Sequence, residues 1–117
     1  VQLFESHIFI TPTFLVTHAG LTNQIWDRDS ITMETLPQWL AEGWNNIKSS
    51  VHQIGFYRGG RQSVGGTFWC DWNREFKPIE GLTQVFGHTA GKGIRQIEQS
   101  FCIDCLDHEH SFLVMDI

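Results

Sequence analysis

Two segments of the chain share one design. Phe14-Leu15-Val16-Thr17 is an apolar, β-prone run that ends in His18-Ala19-Gly20, and Gln84-Val85-Phe86 ends in Gly87-His88-Thr89. The first run has too little polar alternation for a surface strand and reads as buried. A histidine at the mouth of a buried strand is rigidly placed, and small neighbours leave room for an ion or a substrate. Neutral imidazole is the commonest metal-ligating side chain, so two such strands lying side by side would aim His18 and His88 at one point. Taken singly, each histidine reads as well as a hydrogen-bonded structural residue. The repetition is what makes a shared site an expectation.

Three other groups could carry chemistry. Phe56 to Gly66 holds four glycines with Arg58 and Arg61 among them; this predicts a mobile loop whose arginines are either solvated or form a phosphate clamp. Cys102-Ile103-Asp104-Cys105 is followed at once by His108 and His110. Two thiolates and two imidazoles suit zinc, but finger spacings leave about 12 residues between the pairs, so a strand and turn with incidental polar residues is the plainer reading. Phe68, Trp69 and Trp72 stand near Arg74, where they could stack a planar ring or simply fill the core.

Positioning these groups requires strands over Ser6–Ile10, Thr13–Thr17, Thr67–Cys70, Leu82–Phe86, Ile94–Ile97, Ser100–Ile103 and Ser111–Met115. The last two would be joined by an exposed turn over Asp107–His110. Asn23–Ser30 is polar and reads as a loop. Leu36, Leu40, Trp44 and Ile47, widened by Trp39 and Val51, recur at helical spacing and predict one main helix over Leu36–His52, with Thr35 as its N-cap and Pro37 in its first turn. Short links between the later strands favour antiparallel pairing.

Composition narrows the class. The 117 residues suit one domain, and 41% hydrophobic with 18% charged is the balance of a globular chain. A net charge of −5 with only eight scattered Lys and Arg argues against a nucleic-acid polymer as partner. No apolar run approaches the roughly 20 residues that span a bilayer. The three cysteines cannot all pair within the chain, and its first residues read as neither signal nor transit peptide. Free thiols in the cytoplasm are the expectation. The chain does not open on Met, which suggests either a trimmed initiator or a partial chain.

The chemistry-bearing segments together resemble a family. Phe14-Leu15-Val16-Thr17-His18-Ala19-Gly20-Leu21 is similar to the F-V-x-H-A-G-L segment of bacterial and phage Ser/Thr protein phosphatases and of the symmetrical diadenosine tetraphosphatases, both calcineurin-like metallophosphoesterases. Trp72-Asn73-Arg74-Glu75-Phe76 resembles their W-x-R segment, Val85-Phe86-Gly87-His88-Thr89 their V-F-G-H-T, and Cys102-Ile103-Asp104-Cys105 falls where they carry x-I-D-T-G. The four matches come in family order and reach from Thr13 to Ile117, with Asn23–Gly66 matching no motif.

The resemblance implies an α+β fold: the C-terminal half of an α/β/β/α sandwich, with a mostly antiparallel or mixed sheet and one main helix, residues 1–117 forming a single partial domain. It implies His18 and His88 as ligands of one ion in a two-metal centre (Mn, Fe or Zn), Arg74 as the catalytic phosphate-binding group, and Asp104 as a strand-end residue behind the ligands. The activity implied is metal-dependent hydrolysis of phosphate esters on a phosphoprotein or a nucleotide. The family's G-D-x-H-G, G-D-x-x-D-R-G and G-N-H motifs should precede His18, yet that stretch holds one acid, Glu5. The chain alone is therefore expected to be inactive and to work with the missing N-terminal half or in an oligomer. Cys105-Leu106 stands where the family has Thr-Gly, which weakens the match there. The alternatives are a non-catalytic assembly module derived from a phosphoesterase, with His18 and His88 vestigial, or a small zinc protein using Cys102 and Cys105.

Overall fold

The strands that carry the two histidines are hydrogen-bonded neighbours. In a computed structural model that describes residues 2–4 and 8–105 together with Leu113 and Met115, six strands form one sheet: β1 (Gln2–Phe4), β2 (Ile8–Thr11), β3 (Phe14–Val16), β4 (Thr83–Phe86), β5 (Arg95–Ile97) and β6 (Ser100–Cys102), in the order β1-β2-β3-β4-β6-β5. The sheet is mixed. β3, β4 and β6 run parallel, while β1 and β2 on one edge and β5 on the other pair antiparallel. The long connection from β3 to β4 carries both α-helices, α1 (Asn23–Arg28) and α2 (Leu36–Trp44).

The register gives the sheet two different faces. Ile10, Leu15, Gln84 and Ser100 are successive cross-strand partners, and all four are buried. They face a core closed by Ile25 of α1 and by Leu36 and Leu40 of α2. A fully buried leucine such as Leu15 or Leu40 contributes about 1.5–3 kcal/mol. On the opposite face Phe9, Phe14, Val16, Val85 and Ile103, with Leu113 and Met115, line an apolar groove of about 290 Å³. A second buried cluster, Ala19, Cys70, Trp72, Phe76, Phe86 and Cys102, lies under the C-terminal ends of the parallel strands.

Several expected elements differ. The main helix ends at Trp44 rather than His52, and only Ser50–His52 returns to a helical turn, of the 3-10 kind. The chain folds back because Ser49 Oγ donates to Gly43 O and Val51 packs on Gly43, where a Cβ would lie 2.4 Å from its Cγ2. Ile47, counted in the apolar stripe, is 84% exposed as a result. Thr35 does not cap α2 through its side chain; it exchanges hydrogen bonds with Thr32 instead. Asn23–Arg28 is a helix, not a loop, anchored by Ile25. Thr67–Cys70 is a turn, with the Trp69 and Cys70 N–H groups both donating to Gly66 O. The glycine-rich loop is closed by its own backbone: Phe56 N–H donates to Gln62 O, Gln62 N–H to Ile54 O and Gly60 N–H to Gly55 O. The proposed turn over Asp107–His110 lies outside the described residues, as does most of the strand expected over Ser111–Met115. Among the described residues no helix is long and apolar enough to cross a membrane.

Candidate functional site

All three parallel strands deliver a polar residue at their C-terminal ends: His18 after β3, His88 after β4 and Asp104 after β6. The carboxyl ends of parallel strands are where open α/β sheets generally place ligands. The two histidines meet there. His18 Nε2 and His88 Nδ1 share a hydrogen bond of 2.9 Å, and their ring centroids lie 4.8 Å apart. Asp104 stands beside Gly87, its Cβ 3.5 Å from where a Gly87 side chain would begin.

Each strand end is bent in its own way. After Val16, Thr17 N–H still donates to Val85 O in the sheet, but Thr17 Oγ1 accepts Gly20 N–H at 2.9 Å, which curls the chain round His18. Gly20 completes the curl at φ +93, with the Phe86 ring directly under it. After Phe86, Gly87 N–H donates to His18 O at 2.8 Å, and His88 takes φ +70. That positive value is uncommon outside glycine, though His, like Asn and Asp, takes it more readily than other residues.

Two consecutive aromatic residues brace the imidazoles. Phe68 stacks on His18 at 6.4 Å, and Trp69 meets His88 edge-on at 5.8 Å. Their turn is fixed to the site by Ala19 N–H donating to Thr67 O at 2.7 Å. His52 lies parallel to the Phe68 ring at 5.1 Å, and its Nε2 donates to Trp44 O. Trp72, raised above as a stacking platform, is buried against Phe76 and Phe86 instead.

The arginines behave differently from one another. Arg58 is held, its Nε and Nη2 donating to Asp71 Oδ1 and its Nη2 also to Thr89 Oγ1 at 3.0 Å. Arg74 is exposed, its guanidinium 5.5 Å from the Tyr57 ring centroid, and its backbone N–H donates to Asp71 Oδ2. Asp71 thus joins both arginines to one carboxylate. Glu75 fixes Asp71 in turn, its Oε1 accepting the N–H groups of Asp71 and Gly65. Arg61 lies exposed on the far side of the loop turn.

Burial first, and then the positive charges of Arg58 and His18, push the His88 imidazole down to about 4, against the opposing pull of Asp71 and Asp104. His88 is therefore neutral near pH 7, the form that ligates metals. Its Nε2 is buried and without a hydrogen-bond partner among the described residues. Cys102 Sγ donates to Gly87 O and Thr89 O, and burial raises its pKa. Cys105 is also buried, while His108 and His110 lie outside the described residues.

The structure brings His18 and His88 together and sets Asp104 at the same end of the sheet, while Arg74 reaches this cluster only by its backbone N–H on Asp71. Sequence reasoning passed over Asp71, Glu75, Thr89 and Arg95. Asp71 and Glu75 bracket a single turn in which Glu75 Oε1 accepts Asp71 N–H and Asp71 Oδ2 accepts Arg74 N–H, one residue longer than the capping-box spacing that a sequence would show. No group of three or more His, Cys, Asp or Glu among the described residues is placed to hold a metal ion. Comparison of the chain with protein-family models, curated proteins and solved structures returns no match.

Proposed function

We propose that the chain contributes part of a binuclear metallophosphoesterase centre, His18 and His88 binding one divalent cation and Arg74 meeting the phosphate of an ester substrate. The observation that carries this is the convergence of the two imidazoles. Two nitrogens with bonds of about 2.1 Å to one ion stand about 3 Å apart at octahedral angles and about 3.4 Å apart at tetrahedral ones; His18 Nε2 and His88 Nδ1 are 2.9 Å apart across their hydrogen bond. A cation would take the place of the proton the two rings share, with the nitrogens moving apart by a few tenths of an ångström at most.

The cations would lower the pKa of the attacking water and neutralise charge on the phosphoryl group. This chain's own side chains hold the site. The His88 imidazole stays neutral because it is buried beside Arg58. Arg74, whose fork suits phosphate oxygens, is exposed, and among the described residues its guanidinium rests on the Tyr57 ring, from which it can swing to an anion. Arg58 is already committed to Asp71 and Thr89 and is the weaker candidate for that contact.

Hydrolytic sites generally use three or more protein ligands per metal, so the remaining ligands must come from outside the described residues. The apolar groove on the second face of the sheet suits the polypeptide layer that would bring them. The 117-residue chain alone is expected to hydrolyse an aryl phosphate with added Mn at background rate; robust turnover by the chain would refute the incomplete-site reading. Cobalt titration tests the centre directly. One equivalent should bind weakly, with its visible absorption lost in both His18→Ala and His88→Ala. Binding that survives both substitutions would sink the proposal.

A further inference from the structure

We infer that Thr89 is the positioning residue for the His88 imidazole, and that Arg58 and Arg95 act on the site through it. The hydrogen bond to His18 and the edge-on contact of Trp69 hold the ring where it lies, and the backbone under it sets where the side chain starts. That backbone is unusual. Thr89 N–H donates back to Gly87 O at 2.8 Å, closing a three-residue turn around His88 at φ +70. A γ-turn of this hand is rare and strained, and such strain persists only where the surroundings over-determine it.

The surroundings converge on the next residue. Thr89 is 4% exposed. Its Oγ1 accepts from Arg58 Nη2 at 3.0 Å and from Trp72 N–H at 2.9 Å. Its carbonyl accepts from Arg95 Nη2 at 2.9 Å and from the Cys102 thiol at 3.5 Å. Four donors from four separate segments therefore pin one residue. Arg95 also donates to Asp104 O and Gly93 O, so the same guanidinium ties the His88 turn to the end of β6. Arg58 brings in the loop that Asp71 holds. Removing the hydroxyl frees the turn to relax toward ordinary φ, which swings the imidazole away from His18.

The functional consequence rests on the metallophosphoesterase reading, but the geometry is testable without metal. The first readout is the nitrogen–nitrogen coupling across the bond shared by His18 and His88, measured by NMR of the isotope-labelled, metal-free chain. The coupling should be present in the wild type and in Thr89→Ser, which keeps the acceptor, and absent in Thr89→Val. An intact coupling in folded Thr89→Val overturns the inference. Should Thr89→Val fail to fold, Arg58→Gln, which removes one of the four donors, decides by the same criterion: a weakened coupling supports the inference and an unchanged one overturns it. The second readout is cobalt affinity, expected to fall roughly 10–100-fold in Thr89→Val and to be restored in Thr89→Ser. Loss of the coupling in Thr89→Val, with no cobalt bound even by the wild type, would uphold the positioning role and reject the metal reading.

Discussion

The side-chain amide of Gln84 grips the backbone of Leu21 in both directions: Oε1 accepts Leu21 N–H and Nε2 donates to Leu21 O, each at 2.8 Å. Gln84 sits on β4, four residues before His88, and Leu21 follows His18 by three. The amide thus acts as an extra rung between the two strand ends, at a position with no solvent exposure. Gln84→Leu fits the apolar surroundings but strands one donor and one acceptor of Leu21. Each unsatisfied group costs about 1–3 kcal/mol, so a loss of about 2–6 kcal/mol is expected in urea unfolding. A loss below about 1 kcal/mol would mean that water replaces the amide.

Gly20 and Gly59 separate two reasons for glycine. Both have positive φ, +93 and +88, but a Cβ on Gly20 would stand 2.8 Å from the Phe86 ring, whereas one on Gly59 meets nothing within 4 Å. Gly59→Ala should cost only the left-handed backbone term, about 1–2 kcal/mol. Gly20→Ala adds overpacking against a ring already packed on both Trp72 and Phe76, a further 1–3 kcal/mol or so. It should also disturb His18 and weaken cobalt binding, which Gly59→Ala leaves alone. Equal melting temperatures for the two variants would show that Phe86 yields freely.

The depressed His88 pKa gives stability a pH slope of known sign. In the folded protein the imidazole is held near 4, against an ordinary 6.5. Between those values the unfolded chain carries the proton and the folded one does not, so unfolding takes up a proton. Stability should therefore fall as pH drops from about 6.5 toward 4, with this group adding nothing further below that. His88→Asn, a residue that tolerates the left-handed region, should flatten the slope in chemical denaturation across that window. A slope unchanged in the variant would assign the effect to other groups.

How much of this was legible in the sequence depends on what kind of contact placed each residue. β3 and β4 were readable because a short apolar run ending in His and small residues is a local pattern; their adjacency was an expectation from the repeated design, and the parallel ladder between them supplies it. Helix α2 was over-extended because Trp44, Ile47 and Val51 keep helical spacing even though the chain turns back at Asn45. Only the tertiary packing of Val51 on Gly43 decides between the two. Helix α1 was missed because six polar-rich residues with one buried anchor, Ile25, carry too short a period to detect. Arg58 and Thr89 are 31 positions apart, and nothing local marks an arginine that crosses to a strand end. The turn at His88 is hidden for a similar reason, since the Thr89 hydroxyl beside it is held by Arg58 and by the Trp72 N–H, both far away in sequence.

The Cys102–Cys105 pair yields the last prediction. A zinc knuckle would need Cys102 as thiolate. Its sulfur instead faces the carbonyl oxygens of Gly87 and Thr89, at 3.6 and 3.5 Å, as a donor. A thiolate there would meet two lone pairs with no proton between them, and burial raises the thiol pKa further. Serine offers a shorter O–H toward the same carbonyls, so Cys102→Ser with Cys105→Ser should fold with modest destabilisation and bind the same number of metal equivalents as the wild type. The measurement is metal content after equilibration with zinc and gel filtration, beside His18→Ala. Loss of an equivalent in the cysteine variant but not in His18→Ala would move the metal from the strand ends to the thiols. Loss only in His18→Ala would leave Cys102 as a packed hydrogen-bond donor behind His88, holding the same Thr89 carbonyl that Arg95 holds from the other side.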